Sequence, residues 1–226
     1  MSTHSMLVAS RDVEVPVGDA VLQGELVLRD GAIGIVLFAH GSGSSRQSPR
    51  NRRVALKLHE AAIATLLIDL LTPDEEAADR TTGEHRFNID LLARRLIGAI
   101  DWLRAGPAGP LRIGLFGAST GAAAALVAAA ERPKDIAAVV SRGGRPDLAG
   151  VSLRQVRAPT LLIVGGADEL VLELNRAALQ LLQAETRLVV VPGATHLFEE
   201  PGALEEVARL AAEWFSRYLG GDDGAR

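Results

Sequence analysis

The chain of 226 residues contains no cysteine. This absence excludes a disulfide framework, a zinc site built from thiolates and a cysteine nucleophile. Lysine is nearly absent as well, since Lys57 and Lys134 are the only two, and the other cationic residues are arginines. No run of basic residues occurs, and the sequence pI is near 5.8. We therefore expect neither nucleic acid nor an anionic membrane surface as a partner.

Long hydrophobic runs are missing too. No apolar stretch reaches the roughly 20 residues that a bilayer-spanning helix needs. The first residues, 1–6, are polar and lack the apolar centre of a signal peptide. The sequence therefore predicts a soluble, cytoplasmic protein.

The composition is that of a globular protein, with 48% hydrophobic and 23% charged residues. The length suits one domain, and neither an internal repeat nor a Pro/Ser-rich linker interrupts it. We therefore predict a single domain over residues 1–226, with flexible ends at residues 1–10 and 220–226.

Short apolar runs alternate with helical patterns along most of the chain. Residues 13–17 and 21–28, separated by Gly18 and Asp19, predict a hairpin at a sheet edge. Six runs are apolar on both faces, as buried parallel strands require: residues 33–39, 64–68, 112–116, 136–140, 160–164 and 187–191. Helical patterns cover residues 50–62, 89–103, 119–131, 173–184 and 204–218. The alternation predicts an α/β fold with a mostly parallel sheet of about eight strands and helices on both faces.

Two segments without strand patterns bear on access to a site. Residues 71–88 are the longest stretch predicted to be irregular, and such a loop is commonly functional. Residues 141–159 are too few, and too rich in glycine and proline, for a lid of several helices. We therefore expect no cap domain.

Ligands of such sheets bind beyond the carboxyl ends of the strands, and one strand end carries the sequence Gly-Ala-Ser-Thr-Gly at residues 117–121. A G-x-S-x-G motif between a strand and a helix is typical of a nucleophile elbow, a strained turn that exposes the serine hydroxyl. Ser119 is therefore the candidate nucleophile. A glycine-rich turn with an incidental serine is the alternative.

Two further strand ends carry a histidine and a carboxylate. His196 follows the last strand, where it can reach back to a serine as general base. Asp168 follows the strand at residues 160–164 and can orient the imidazole. Asp147 is the alternative acid, whereas His59 and His85 are expected to have no catalytic role.

The fourth strand end is glycine- and serine-rich, with His-Gly-Ser-Gly at residues 40–43. Small residues allow backbone N–H groups to approach a developing oxyanion, and we assign this role to the amides of Thr120 and Ser42. The alternative is a phosphate-binding loop. However, the third glycine of G-x-G-x-x-G is missing and no G-K-S/T occurs in the chain.

These motifs resemble those of an α/β-hydrolase of the dienelactone-hydrolase-like branch, in which serine, aspartate and histidine follow in this chain order. The resemblance covers residues 12–219. It implies hydrolysis of carboxylic esters or lactones through an acyl-serine, without cofactor. No cluster of residues in the sequence has the spacing of metal ligands, so no metal is expected. Dienelactone hydrolases themselves use a cysteine nucleophile, so Ser119 favours a general carboxylesterase.

The expected partner is a small ester or lactone substrate, bound by a monomer or homodimer. Residues predicted to line its site are His40, Leu70, Leu71, Phe87 and Arg142. Two other functions remain open. One is an acyltransferase or perhydrolase that uses the same acyl-enzyme, and the other is a non-catalytic binding protein with a hydrolase fold.

Overall fold

The computed structural model describes residues 9–106 and 108–221. The predicted flexible ends therefore lie mostly outside the described residues, although Ala9 and Ser10 already belong to the first strand. The strands are β1 Ala9–Val17, β2 Ala20–Leu28, β3 Gly34–Ala39, β4 Ile63–Ile68, β5 Ile113–Ala118, β6 Ile136–Arg142, β7 Thr160–Gly165 and β8 Thr186–Val191. The helices are α1 Pro49–Glu60, α2 Pro73–Thr82, α3 Ile89–Ala105, α4 Thr120–Glu131, α5 Glu169–Leu179 and α6 Ala203–Leu219, with a 3-10 segment at Pro146–Gln155.

The eight strands form one sheet in the order β1-β2-β4-β3-β5-β6-β7-β8. The hairpin β1–β2 lies at one edge, as predicted, and β2 pairs antiparallel with β4. From β4 to β8 every neighbouring pair is parallel. The chain turns outward in one direction from β3 and in the other from β5, and such a switch point opens a crevice at the carboxyl ends of these strands.

The central strands are buried on both faces. All residues of β3, β4, β5 and β7 are buried, as their continuous apolar runs predict. One core layer lies on the α3/α4 side of the sheet and another on the α1/α6 side, where the rings of Phe38 and Phe116 lie 4.9 Å apart. This two-sided burial fixes the strand ends that carry the candidate site.

Residues 71–88 contain a helix, and the prediction of an irregular stretch was wrong. α2 begins after Thr72, whose hydroxyl accepts a hydrogen bond from the amide of Glu75 while the Glu75 carboxylate accepts one from the amide of Thr72. Pro73 occupies the first turn and Gly83, with φ of 69°, ends the helix. The sequence signal was present, since Thr-Pro-Asp-Glu is a capping box with proline at the first helical position.

The helix after β7 begins earlier than predicted. α5 spans Glu169–Leu179 instead of residues 173–184, so it starts directly after Asp168. Between β6 and β7 the only helical element is the 3-10 segment, in agreement with the expected lack of a cap in this part of the chain. None of the helices among the described residues is both long and apolar enough to cross a bilayer.

Candidate active site

Ser119 lies in a sharp turn between β5 and α4. Its φ of 50° and ψ of −121° are unfavourable for a residue with a Cβ, so the surrounding structure must hold the turn. The flanking positions 117 and 121 must be glycine, because no room exists there for a side chain. A Cβ on Gly117 would lie 2.4 Å from Cα of Ala122, and one on Gly121 would lie 2.3 Å from the carbonyl oxygen of Ala39. The motif therefore forms the elbow that its sequence predicts.

His196 and Asp168 are in direct contact. Nδ1 of His196 lies 2.7 Å from Oδ2 of Asp168, and the two side chains are 40% and 16% exposed. The loops that carry them are bonded together, because the amide of Ala167 donates to the carbonyl of Ala194. A Cβ on Gly165 would lie 2.3 Å from the same carbonyl oxygen, so only glycine permits this approach.

The loop after β6 contacts both Ser119 and His196. The amide of Ser119 donates to the carbonyl of Arg142, and the amide of Arg145 donates to the carbonyl of Ser119. A Cβ on Gly143, which lies between these two residues, would be 3.5 Å from Nδ1 of His196. The elbow and the histidine loop are therefore packed against one segment of main chain.

Asp147, the alternative acid, is engaged elsewhere. Its two carboxylate oxygens accept hydrogen bonds of 2.9 and 2.7 Å from the guanidinium of Arg145. The structure therefore brings Asp168, and not Asp147, to the imidazole.

The two residues proposed to supply oxyanion amides are in contact, and the amide of one of them already has an acceptor. The amide of Ser42 donates to Oγ1 of Thr120 over 3.0 Å. Gly41 lies directly against the nucleophile, because a Cβ there would be 3.0 Å from Cβ of Ser119. The loop after β3 therefore borders the elbow, and the hydroxyl of Thr120 is an additional polar group at this place that the sequence motifs do not indicate.

Two side chains fix this loop, which we call the Gly41 loop (residues 41–46). Nε2 of His40 accepts from the amide of Leu70, so the ring proton is on Nδ1 and is donated to the carbonyl of Gly41. Asp69 accepts from the amide of Arg46 over 2.6 Å and also pairs with its guanidinium. His40 thus ties the end of β3 to the end of β4.

Burial lowers the pKa of His40 below its usual 6.5, and this effect outweighs the opposite influence of Gly41, Asp69 and Glu76. The unfolded chain therefore binds more protons than the folded one below about pH 6.5, and stability falls as the pH decreases. We expect His40→Gln, which does not titrate, to reduce the loss of unfolding free energy between about pH 7.5 and about pH 5.

Denaturant unfolding of both proteins at the two pH values measures this difference. The pKa of His59 is also lowered by burial, but His59 is present in both proteins and cancels in the comparison. An equal pH dependence of the two proteins would contradict the prediction.

A narrow cleft of about 240 Å³, including the part open to solvent, runs between the Gly41 loop, α2 and α3. Thr120 and Leu71 line it, together with the charged side chains Glu76 and Arg86. Arg86 is held in place by Asp79, a buried carboxylate that also accepts from the amides of His85 and Arg86. The cleft is therefore partly polar.

The five residues predicted to line the site lie in different surroundings. His40 and Leu71 border the cleft. Leu70 does not border the cleft; it is fully buried in the core layer on the α3/α4 side, to which Leu71 also belongs. Phe87 is 60% exposed and precedes α3.

Arg142 is 7% exposed, and its Nε and Nη1 atoms have no hydrogen-bond partner among the described residues. Burial and the nearby Arg50 lower its pKa to about 10. Arg142 is therefore a buried cation at the end of β6 instead of an open part of the cleft.

The described residues, 9–106 and 108–221, contain no group of three or more histidine, aspartate or glutamate side chains placed to hold a metal ion.

Comparison with known proteins places the chain in a family. The sequence profile of the dienelactone hydrolase family matches residues 32–219. A dienelactone hydrolase from Anabaena variabilis is 61% identical, with a TM-score of 0.92 over 94% of this chain and 99% of that chain. Est1E from Butyrivibrio proteoclasticus is 16% identical, with a TM-score of 0.77 over 93% of this chain and 99% of that chain, and shares the fold.

A protein of Mycobacterium tuberculosis strain H37Rv, named provisionally as a phosphoribosyl transferase, is 56% identical over 211 residues. The match covers 93% of this chain but 47% of that protein, so the chain spans about half the length of this curated relative. The family profile covers both the elbow and the histidine loop of this chain. The chain belongs to the dienelactone hydrolase family and has its α/β-hydrolase fold.

Proposed function

We propose that the protein is a serine hydrolase that cleaves small carboxylic esters or lactones through an acyl-serine intermediate. The observation that carries this proposal is the 2.7 Å contact between Asp168 and His196, on a loop that packs against the same main-chain segment after β6 as the strained elbow of Ser119. Hydrolase family membership supports it.

The contact determines how the proton moves in the proposed reaction. Asp168 holds Nδ1–H of His196, which leaves Nε2 unprotonated and able to act as a base. Oγ of Ser119 attacks the ester carbonyl carbon and its proton passes to Nε2. The same proton is then given to the leaving alcohol as the bond from the acyl carbon to the alcohol oxygen breaks. A water molecule, activated by His196 in the same way, releases the acid.

Transfer of the acyl group to another acceptor would use the same residues. An alcohol or hydrogen peroxide in place of water gives an acyltransferase or a perhydrolase. Phosphoribosyl transfer is in the name of a relative about twice as long as the matching segment. We assign the segment shared with that relative to acyl chemistry, because it carries the elbow and the paired histidine.

Labelling with a fluorophosphonate probe tests the nucleophile, and a panel of p-nitrophenyl esters and simple lactones tests the substrate class. We expect one label per chain, on the peptide that contains Ser119, and hydrolysis of several short esters. Added alcohol or peroxide should change the products only if transfer competes with hydrolysis. An unlabelled wild-type protein would contradict the proposal and favour a non-catalytic binding protein.

The structure also leads us to expect a preference for short acyl chains. The 17 residues between β6 and β7, residues 143–159, form only the 3-10 segment and its flanking loops, and the cleft is narrow. Each methylene that stays in water gains none of the ~0.8 kcal/mol that burial would supply. We expect kcat/KM to fall beyond roughly C4–C6 chains.

Kinetics across p-nitrophenyl esters from acetate to palmitate measure this preference. A maximum at long chains, or a sudden increase in rate at the micelle threshold, would mean that an apolar tunnel or a lid forms when substrate binds.

A further inference from the structure

The amide N–H of Ser42 is not free to donate a hydrogen bond to an oxyanion in this structure. It carries a single proton, and it donates that proton to Oγ1 of Thr120 over 3.0 Å. An oxyanion that approached this amide would have to displace the hydroxyl or share the proton with it. An oxyanion hole made of the backbone amides of Thr120 and Ser42 would therefore require the hydrogen bond from Ser42 to Thr120 to break or to be shared.

The hydroxyl of Thr120 has the properties of a donor itself. Thr120 is 3% exposed, it borders the cleft together with Ser42, and it directly follows the candidate nucleophile. Its oxygen accepts from Ser42, and no hydrogen bond donated by this hydroxyl occurs among the described residues 9–106 and 108–221. A hydroxyl that accepts a hydrogen bond becomes a stronger donor, since chains of hydrogen bonds polarise one another.

We propose that the hydroxyl of Thr120 is the second oxyanion donor, and that Ser42 acts through it as a positioning residue. The inference rests on the proposed acyl-serine mechanism. The oxyanion then accepts two hydrogen bonds from one residue, from N–H and Oγ–H of Thr120. The amide of Ser42 stays bonded behind the hydroxyl and orients it. No proton is transferred by these groups, and both bonds weaken again when the tetrahedral intermediate collapses.

The substitution Thr120→Val distinguishes this arrangement from a hole built on Ser42. Valine keeps the shape of threonine, removes the hydroxyl and releases the amide of Ser42. If the hydroxyl is the donor, kcat should fall by about 10²–10³, as after loss of an oxyanion donor elsewhere, with little change in KM. If the hydroxyl only blocks Ser42, kcat should stay the same or rise. Only the first hypothesis thus predicts a decrease in kcat for Thr120→Val.

Two further variants separate the chemistry from effects on folding. Thr120→Ser retains a hydroxyl and should retain most of the wild-type kcat. Thr160→Val is the matched control, because Thr160 is also buried and its hydroxyl donates over 3.0 Å to the carbonyl of Ala158 at the opposite end of the sheet. We expect Thr160→Val to lower the unfolding temperature without lowering kcat.

A structure of the wild-type enzyme after fluorophosphonate labelling gives a second answer that does not depend on the folding of a variant. We expect Oγ1 of Thr120 within hydrogen-bond distance of the phosphonyl oxygen. The amide of Ser42 at that position, or an undiminished kcat of Thr120→Val, would overturn the inference. A wild-type protein that neither reacts with the probe nor cleaves esters would instead refute the proposed function, so the two failures are distinguishable.

Discussion

Replacing Ser119 with alanine is expected to lower kcat for ester hydrolysis by about 10⁶, because loss of the nucleophile of the proposed triad would remove the covalent route altogether. The fold should survive the change. Serine already has a Cβ and adopts the φ of 50° at the elbow, so alanine adds no steric conflict there. The hydrogen bonds of Ser119 to its neighbours are made by its main chain, and alanine retains them. The variant should therefore also lose labelling by the fluorophosphonate while its unfolding temperature stays close to that of the wild type.

Ser141 provides the matched control for this experiment. It lies one strand away, opposite Gly117 in the pairing of β5 with β6, and its buried Oγ has no hydrogen-bond partner among the described residues. Ser141→Ala should leave both labelling and kcat nearly unchanged. Ester hydrolysis by purified Ser119→Ala at the wild-type rate would show that the nucleophile is elsewhere.

The elements that position the site could be predicted from the sequence because their signals are local. The apolar run of β5 and the small residues of α4 flank the G-x-S-x-G motif. Its glycines are needed because a Cβ at Gly117 or Gly121 would collide with neighbouring main-chain atoms. The runs of β7 and β8 end at Gly165 and Val191, and the loops that follow carry Asp168 and His196. Parallel pairing then brings these strand ends to one edge, so their proximity follows from topology.

Features that depend on the direction of a side chain could not be predicted in this way. The sequence places Leu70 and Leu71 next to each other, but only the structure shows that, although both belong to the core layer, Leu71 also borders the cleft and Leu70 does not. The hydrogen bond from Ser42 to Thr120 joins residues 78 positions apart, and no periodicity indicates it. The helix α2 is a different case, because its capping box at Thr72–Glu75 is a local signal that the sequence does contain.

The choice between two carboxylates leads to the second large expected effect. Asp168→Asn should lower kcat by about 10⁴, by analogy with the same substitution in another serine hydrolase triad. The asparagine amide can donate to Nδ1 of His196, which favours the tautomer with its proton on Nε2. That tautomer cannot accept the proton of Ser119. KM should change little, because Asp168 contacts the imidazole and not the substrate.

Asp147→Asn is the control, since it removes a carboxylate from a neighbouring strand end without touching the imidazole. The substitution breaks the paired hydrogen bonds with Arg145, which is partly exposed, and such ion pairs contribute at most about 1 kcal/mol to stability. We therefore expect a small decrease in unfolding temperature and a kcat close to that of the wild type. Measuring kcat for both variants across pH decides the assignment. If Asp147→Asn is the slower enzyme, the acid of the triad follows β6, and the contact between Asp168 and His196 serves only to hold the histidine loop.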